Sequence, residues 1–137
     1  MNARAIANHC MKLSFYDLQN FAGKHYQNVY DYIKTYHPTT SARDILVGTI
    51  FTCVASDGSL SGKEADFVAS FIGGYSYDDS LDTAGAFLSE DARNVVRDLA
   101  KKFPSEIRES YVSMCIAVLA VDKRLDGEEI DFINSLL

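Results

Sequence analysis

GTIFTCVASDGSLSGKEADFVASF, residues 48–71, decides the fold, because its pattern returns 65 positions later as SMCIAVLAVDKRLDGEEIDFINSLL, residues 113–137. Laid over each other, the two stretches pair Asp57 with Asp122, Leu60 with Leu125, Gly62 with Gly127, Glu64 with Glu129, Asp66 with Asp131 and Phe67 with Phe132. Each reads as an apolar helix, an acidic loop and an amphipathic helix. The runs leading into the loops are apolar on nearly every side, through Ile45, Leu46, Val47, Ile50, Phe51, Cys53 and Val54 in the first copy. A helix hydrophobic all round belongs in the middle of a bundle.

Working outward, the remaining segments are also helical. Ser14 is placed to cap a long amphipathic helix with a stripe at Phe15, Leu18, Ala22, Val29, Ile33 and Tyr36, ending at His37-Pro38. Residues 2–12 fit a short helix before it. Residues 75–89 form a polar connector with at most one short helix near 80–88. Ser89 can cap a helix that carries Val95, Val96, Leu99 and Phe103 inward and stops at Pro104. No stretch alternates with the period of two that a strand requires. The expectation is an all-α helical bundle of six or seven helices, built from two similar helix-loop-helix halves. It is one domain over 1–137, with 1–41 as an N-terminal helical extension and 42–137 as the duplicated core.

Between the apolar helices a further match survives the 65-residue shift: Gly48 with Ser113, Thr52 with Ala117 and Ala55 with Ala120. Residues four and three apart lie on one helix side, and small side chains there let backbones approach closely. The two apolar helices are expected to cross at these faces.

Composition bounds the function. With 47% hydrophobic and 23% charged residues, the chain has the balance of a globular protein that folds on its own. No apolar run reaches the roughly 18 residues that span a membrane. The beginning of the sequence lacks the apolar centre of a signal peptide, and three scattered cysteines give no bridge framework, so a cytoplasmic location is expected. A net charge of −6 without any basic stripe argues against nucleic acid as a partner. The acid is concentrated in the duplicated part: residues 1–56 hold only Asp17, Asp31 and Asp44 of the 19 acidic residues.

Much of each loop is turn chemistry. Ser61-Gly62-Lys63-Glu64 and Asp126-Gly127-Glu128-Glu129 fit capping boxes. Capping does not account for Asp57 and Asp122, at the C-terminal ends of apolar helices, where the helix dipole disfavours a carboxylate. An EF-hand is the obvious comparison, but its twelfth loop position needs a bidentate glutamate and Val68 and Ile133 stand there. A different oxygen-rich site for a divalent cation (Ca, Mg, Mn or Zn), built from Asp57, Glu64, Asp122, Asp126 and Glu129, is the chemistry these residues suit.

The run Ala55-Ser56-Asp57-Gly58-Ser59-Leu60-Ser61-Gly62-Lys63-Glu64, repeated near residue 122, resembles the tellurite-resistance TerB-like domain and is similar to the N-terminal region of the DjlA co-chaperone. The resemblance covers roughly residues 42–137. It implies an all-α bundle of two halves whose acidic motifs form a cation-binding cluster, with Asp57 and Glu64 from the first and Asp122, Asp126 and Glu129 from the second. Lys123 departs from the pattern, where a glycine would be expected, and with Arg124 it sets two positive charges beside the second motif.

Other constellations are weaker. His9, Cys10, His25 and His37 lack the spacing of zinc ligands. Cys53 and Cys115 read as small core residues. No phosphate cradle or nucleophile with its base accompanies the carboxylates, so no enzymatic activity is expected. The tyrosines of the long helix read as rings packed inward with hydroxyls at the surface. The competing reading makes Tyr16, Tyr30 and Tyr32 a docking face for a protein partner, and the whole chain a metal-free interaction domain.

Overall fold

A computed structural model of the chain describes residues 2–36, 46, 50, 62–72, 90–121 and 127–136. Among these the helices are α1 (Ala3–Cys10), α2 (Phe15–Tyr36), α3 (Gly62–Phe71), α4 (Glu90–Lys102), α5 (Ser105–Ala120) and α6 (Gly127–Asn134), and no strand occurs. The chain is all-α over the described residues.

The helix ends follow local chemistry. Asn2 accepts from the Ala5 amide at 2.9 Å and so caps α1. A tight corner at Met11–Leu13 hands the chain to Ser14, whose Oγ accepts from the Asp17 amide at 3.1 Å and starts α2. That helix is described to Tyr36, two residues before Pro38. Pro104 separates α4 from α5, and Arg108 Nη2 donates to the Phe103 carbonyl at 3.1 Å across the corner.

Helix α5 is the centre. Eleven consecutive residues, 110–120, are buried, so it has no outward side over its last three turns. Among the described helices its most extensive neighbour is α2, followed by α1, and α3, α4 and α6 also pack on it. Each large aliphatic side chain buried this way, among them Met114, Ile116 and Leu119, stabilises the fold by about 1.5–3 kcal/mol before entropy is subtracted. The N-terminal helices are thus built into the core rather than laid over it. Near the two ends of the described chain, the Ala3 amide donates to Asn134 Oδ1 at 3.3 Å, tying α1 to α6.

Helix α2 buries one side, through Leu18, Ala22, Val29 and Ile33. Phe15 and Tyr36, expected at the two ends of that inward stripe, are instead 58% and 67% exposed. They occupy the terminal turns and are covered only in part: Phe15 meets Phe67 edge-on at 5.8 Å and Tyr36 packs on Tyr32 at 4.8 Å. Phe67, Val68 and Ile72 of the α3 segment, Ala100 and Phe103 beside α4, and Ile133 and Leu136 of the last segment complete the core. Aromatic rings interlock around it: Phe67 meets Phe71 at 5.3 Å between centroids, and Phe103 meets Tyr32 at 5.6 Å, edge to face. In the first apolar run, Leu46 and Ile50 are helical and fully buried. The expected crossing of small-residue faces has only its second side within the described residues: Ser113, Ala117 and Ala120 are buried on α5, while Gly48, Thr52 and Ala55 lie outside them.

Candidate functional site

Of the acidic residues expected to hold a cation, Glu64 is described in full. It lies in the first turn of α3, where the helix dipole favours a carboxylate, and is 6% exposed. Asp57, Asp122 and Asp126 lie outside the described residues, and Glu129 lies on α6 with its side chain outside them. The separation of the two acidic loops, on which a shared cation depends, is therefore also outside them. Among the described residues no three His, Cys, Asp or Glu side chains gather as a metal-holding group.

The three tyrosines do not form one face. Tyr16 is 69% exposed at the N-terminal end of α2, fourteen residues and roughly 21 Å of helix from Tyr30. Tyr30 and Tyr32 are half-buried against the core. Tyr30 packs on Tyr26 at 5.8 Å with Lys34 Nζ 5.7 Å from its ring, and Tyr32 sits between Tyr36 and Phe103.

A concavity among the described residues lies elsewhere. A cleft of about 440 Å³ opens between α1, α2 and α5, lined by Ala5, Ile6, His9, Phe21, His25, Glu109 and Ser113. Helical spacing builds it. His9 follows Ala5 by four residues, His25 follows Phe21 by four and Ser113 follows Glu109 by four, so each helix sends one face into it. Its aromatic wall is continuous: His9 and Phe21 stack tilted at 5.5 Å, and Phe21 and His25 meet edge-on at 4.5 Å.

Behind this wall lies a polar layer inside the α2–α5 interface. His25 Nδ1 is 3.1 Å from Ser110 Oγ, and Asn28 Nδ2 donates to the same oxygen at 3.3 Å. Burial lowers the His25 pKa below the ordinary imidazole value, and Lys24 pushes the same way; Glu109 opposes both. A neutral ring suits the geometry. With Asn28 supplying a proton to Ser110 Oγ, the hydroxyl can direct its own proton at Nδ1, which puts the ring proton on Nε2. Although a serine and a histidine in contact suggest a nucleophile and its base, Ser110 is buried and does not line the cleft. The pair joins two helices instead.

Sequence reasoning singled out His9 and His25 only as poor zinc ligands and passed over Phe21, Glu109 and Ser110. One signal was available. His25 falls in the gap of the α2 stripe, between Ala22 and Val29, where a polar residue on an apolar face demands a partner. Nothing in the spacing identified that partner as Ser110, 85 residues away.

Compared with family models, with curated proteins and with solved structures, the chain finds no match.

Proposed function

We propose that this chain is a non-enzymatic TerB-like module, of the stress-response or tellurite-resistance-related kind, that binds a divalent cation through its acidic interhelical loops. The observation that carries the reading is the return, after 65 residues, of the same carboxylates at the same places in loop and first turn: Asp57 and Glu64, then Asp122 and Glu129. The place of Glu64 in the first turn of α3, directly after the first acidic loop, supports it. So does the packing of both following helices, α3 and α6, on the same central helix α5. The architecture that goes with this reading is a bundle of six or seven helices in two similar halves, working in the cytoplasm.

Calorimetric titration of the metal-free chain with Ca²⁺, Mg²⁺, Mn²⁺ and Zn²⁺ tests it. Weak binding is expected, reduced more by Asp57→Asn than by Glu129→Gln because Lys123 and Arg124 oppose a cation at the second loop. Absence of both heat and a melting shift at millimolar cation would overturn the reading. A metal-free interaction domain is the second reading, and a specific observation favours it: Met11, Phe15 and Tyr16 are 36%, 58% and 69% exposed around the α1–α2 corner. In that case cations leave the chain unchanged, while Phe15→Ser with Tyr16→Ser abolishes partner retention at unaltered melting temperature.

A further inference from the structure

We propose that the cleft between α1, α2 and α5 is a binding site for a small organic cation, an ammonium group carried on an aromatic ring. This does not rest on the cation loops, which belong to other segments. Four observations lead to it. The cavity, about 440 Å³, is within the range of small-molecule sites, roughly 300–1,000 Å³. Its walls are mainly apolar and aromatic, from Ala5, Ile6, Phe21 and the two imidazoles, which suits a flat ring. Ring faces also attract cations.

The third observation is charge. Glu109 brings the cleft's carboxylate, half-buried on α5. Its neighbour on α5, Arg108, is turned to the Phe103 carbonyl, and Lys24 of α2 is solvent-exposed, though near enough to act on His25. The fourth is that His25 is held neutral, with its Nδ1 committed to Ser110, so it adds a donor or stacking surface and not a competing positive charge. Ammonium beside Glu109 and aromatic ring against Phe21 is the arrangement that satisfies every wall. An anion would be repelled by Glu109, and a neutral ring would gain nothing from its charge.

The test uses the full chain in 0.15 M salt and three probes of matched size: phenethylammonium, 2-phenylethanol and 3-phenylpropionate. Imidazole NMR resonances of His9 and His25 report occupancy, and melting temperature gives a second readout. Phenethylammonium is expected to shift both histidines saturably, with Kd on the order of 1 mM as for a fragment of this size. The alcohol should bind at least fivefold more weakly and the carboxylate not detectably. Glu109→Gln should bring cation and alcohol to equal affinity. The proposal is overturned if the histidine shifts fail to saturate, if the alcohol matches the cation in the parent chain, or if Glu109→Gln preserves the preference. Ala5→Leu, at the exposed rim, supplies an independent check should Glu109→Gln fold poorly: it must weaken the cation at least fivefold, and unchanged affinity sinks the proposal.

Discussion

Among the described helices, α2 and α5 pack on each other most extensively, yet they differ sharply in exposure. Over its 22 residues α2 buries a single stripe, whereas α5 is buried over an unbroken run of eleven. Their meeting line differs from the rest of the core as well: it carries His25, Asn28 and Ser110, while the surrounding contacts are aliphatic and aromatic. What the difference teaches is that a long one-sided helix supplies surface and site, and the short all-sided one supplies the stability that holds them.

The sharpest way to break this comparison is to truncate each helix in turn. Ile116→Ala on α5 should cost about 2–5 kcal/mol, and Ala117→Leu, which overfills the same region, about 1–3. Tyr16→Ala on α2 should stay within about 0.5 kcal/mol because that ring is two-thirds exposed. Urea unfolding measures all three, and similar losses on both helices would end the distinction. Of a total stability of roughly 5–15 kcal/mol, the α5 changes alone would remove a large part.

Next comes the polar layer. Ser110→Ala removes the oxygen shared by His25 and Asn28; the half-buried imidazole loses its partner while the exposed Asn28 turns to water, and the expected loss is about 1 kcal/mol. An unchanged melting temperature would mean that the layer contributes nothing and that water serves it equally well.

The pH dependence sharpens the same point. His25, with Lys24 and Glu109 as its charged neighbours, has its folded pKa below the unfolded one, so near neutral pH both states are unprotonated. As pH falls through the unfolded value, about 6.5, the unfolded chain takes up the proton first and stability declines until the folded pKa is also passed. The melting temperature at pH 5 should therefore drop by less in His25→Gln than in the parent. A parent and variant with parallel pH curves would contradict the assignment of His25 as a half-buried neutral ring.

The smallest effect has the opposite sign. Gly23 sits in the interior of α2, and a Cβ there would meet Phe71 Cβ at 3.9 Å, an ordinary contact. Gly23→Ala should thus stabilise by about 0.5–1 kcal/mol through helix propensity and the unfolded chain's entropy. Destabilisation on thermal unfolding would show that α2 and α3 are pressed together more closely than this spacing allows.

Read alone, the amino-acid sequence determined that the described chain is helical and where its helices turn. Ser14 and Pro104 act within a few residues of themselves, so their effects are legible from neighbours alone. The periodic stripe at Leu18, Ala22, Val29 and Ile33 showed which side of α2 faces inward, and the apolarity of the run into the second loop placed α5 in the middle of the bundle. The acidic repeat stays a property of the sequence, since four of its five expected ligands have side chains outside the described residues. Tertiary structure alone decided that Phe15 and Tyr36, at the ends of their stripe, stay more than half exposed, and that Tyr30 and Tyr32 lean on the core while Tyr16 does not. It also decided that the polar gap at His25 is filled by Ser110, and that Phe21, His9 and Glu109 share a cleft. The physical reason is range. Periodicity and capping are set by residues within one or two helical turns, whereas what a face meets is set by the docking of helices far apart in the chain, through contacts no local pattern encodes.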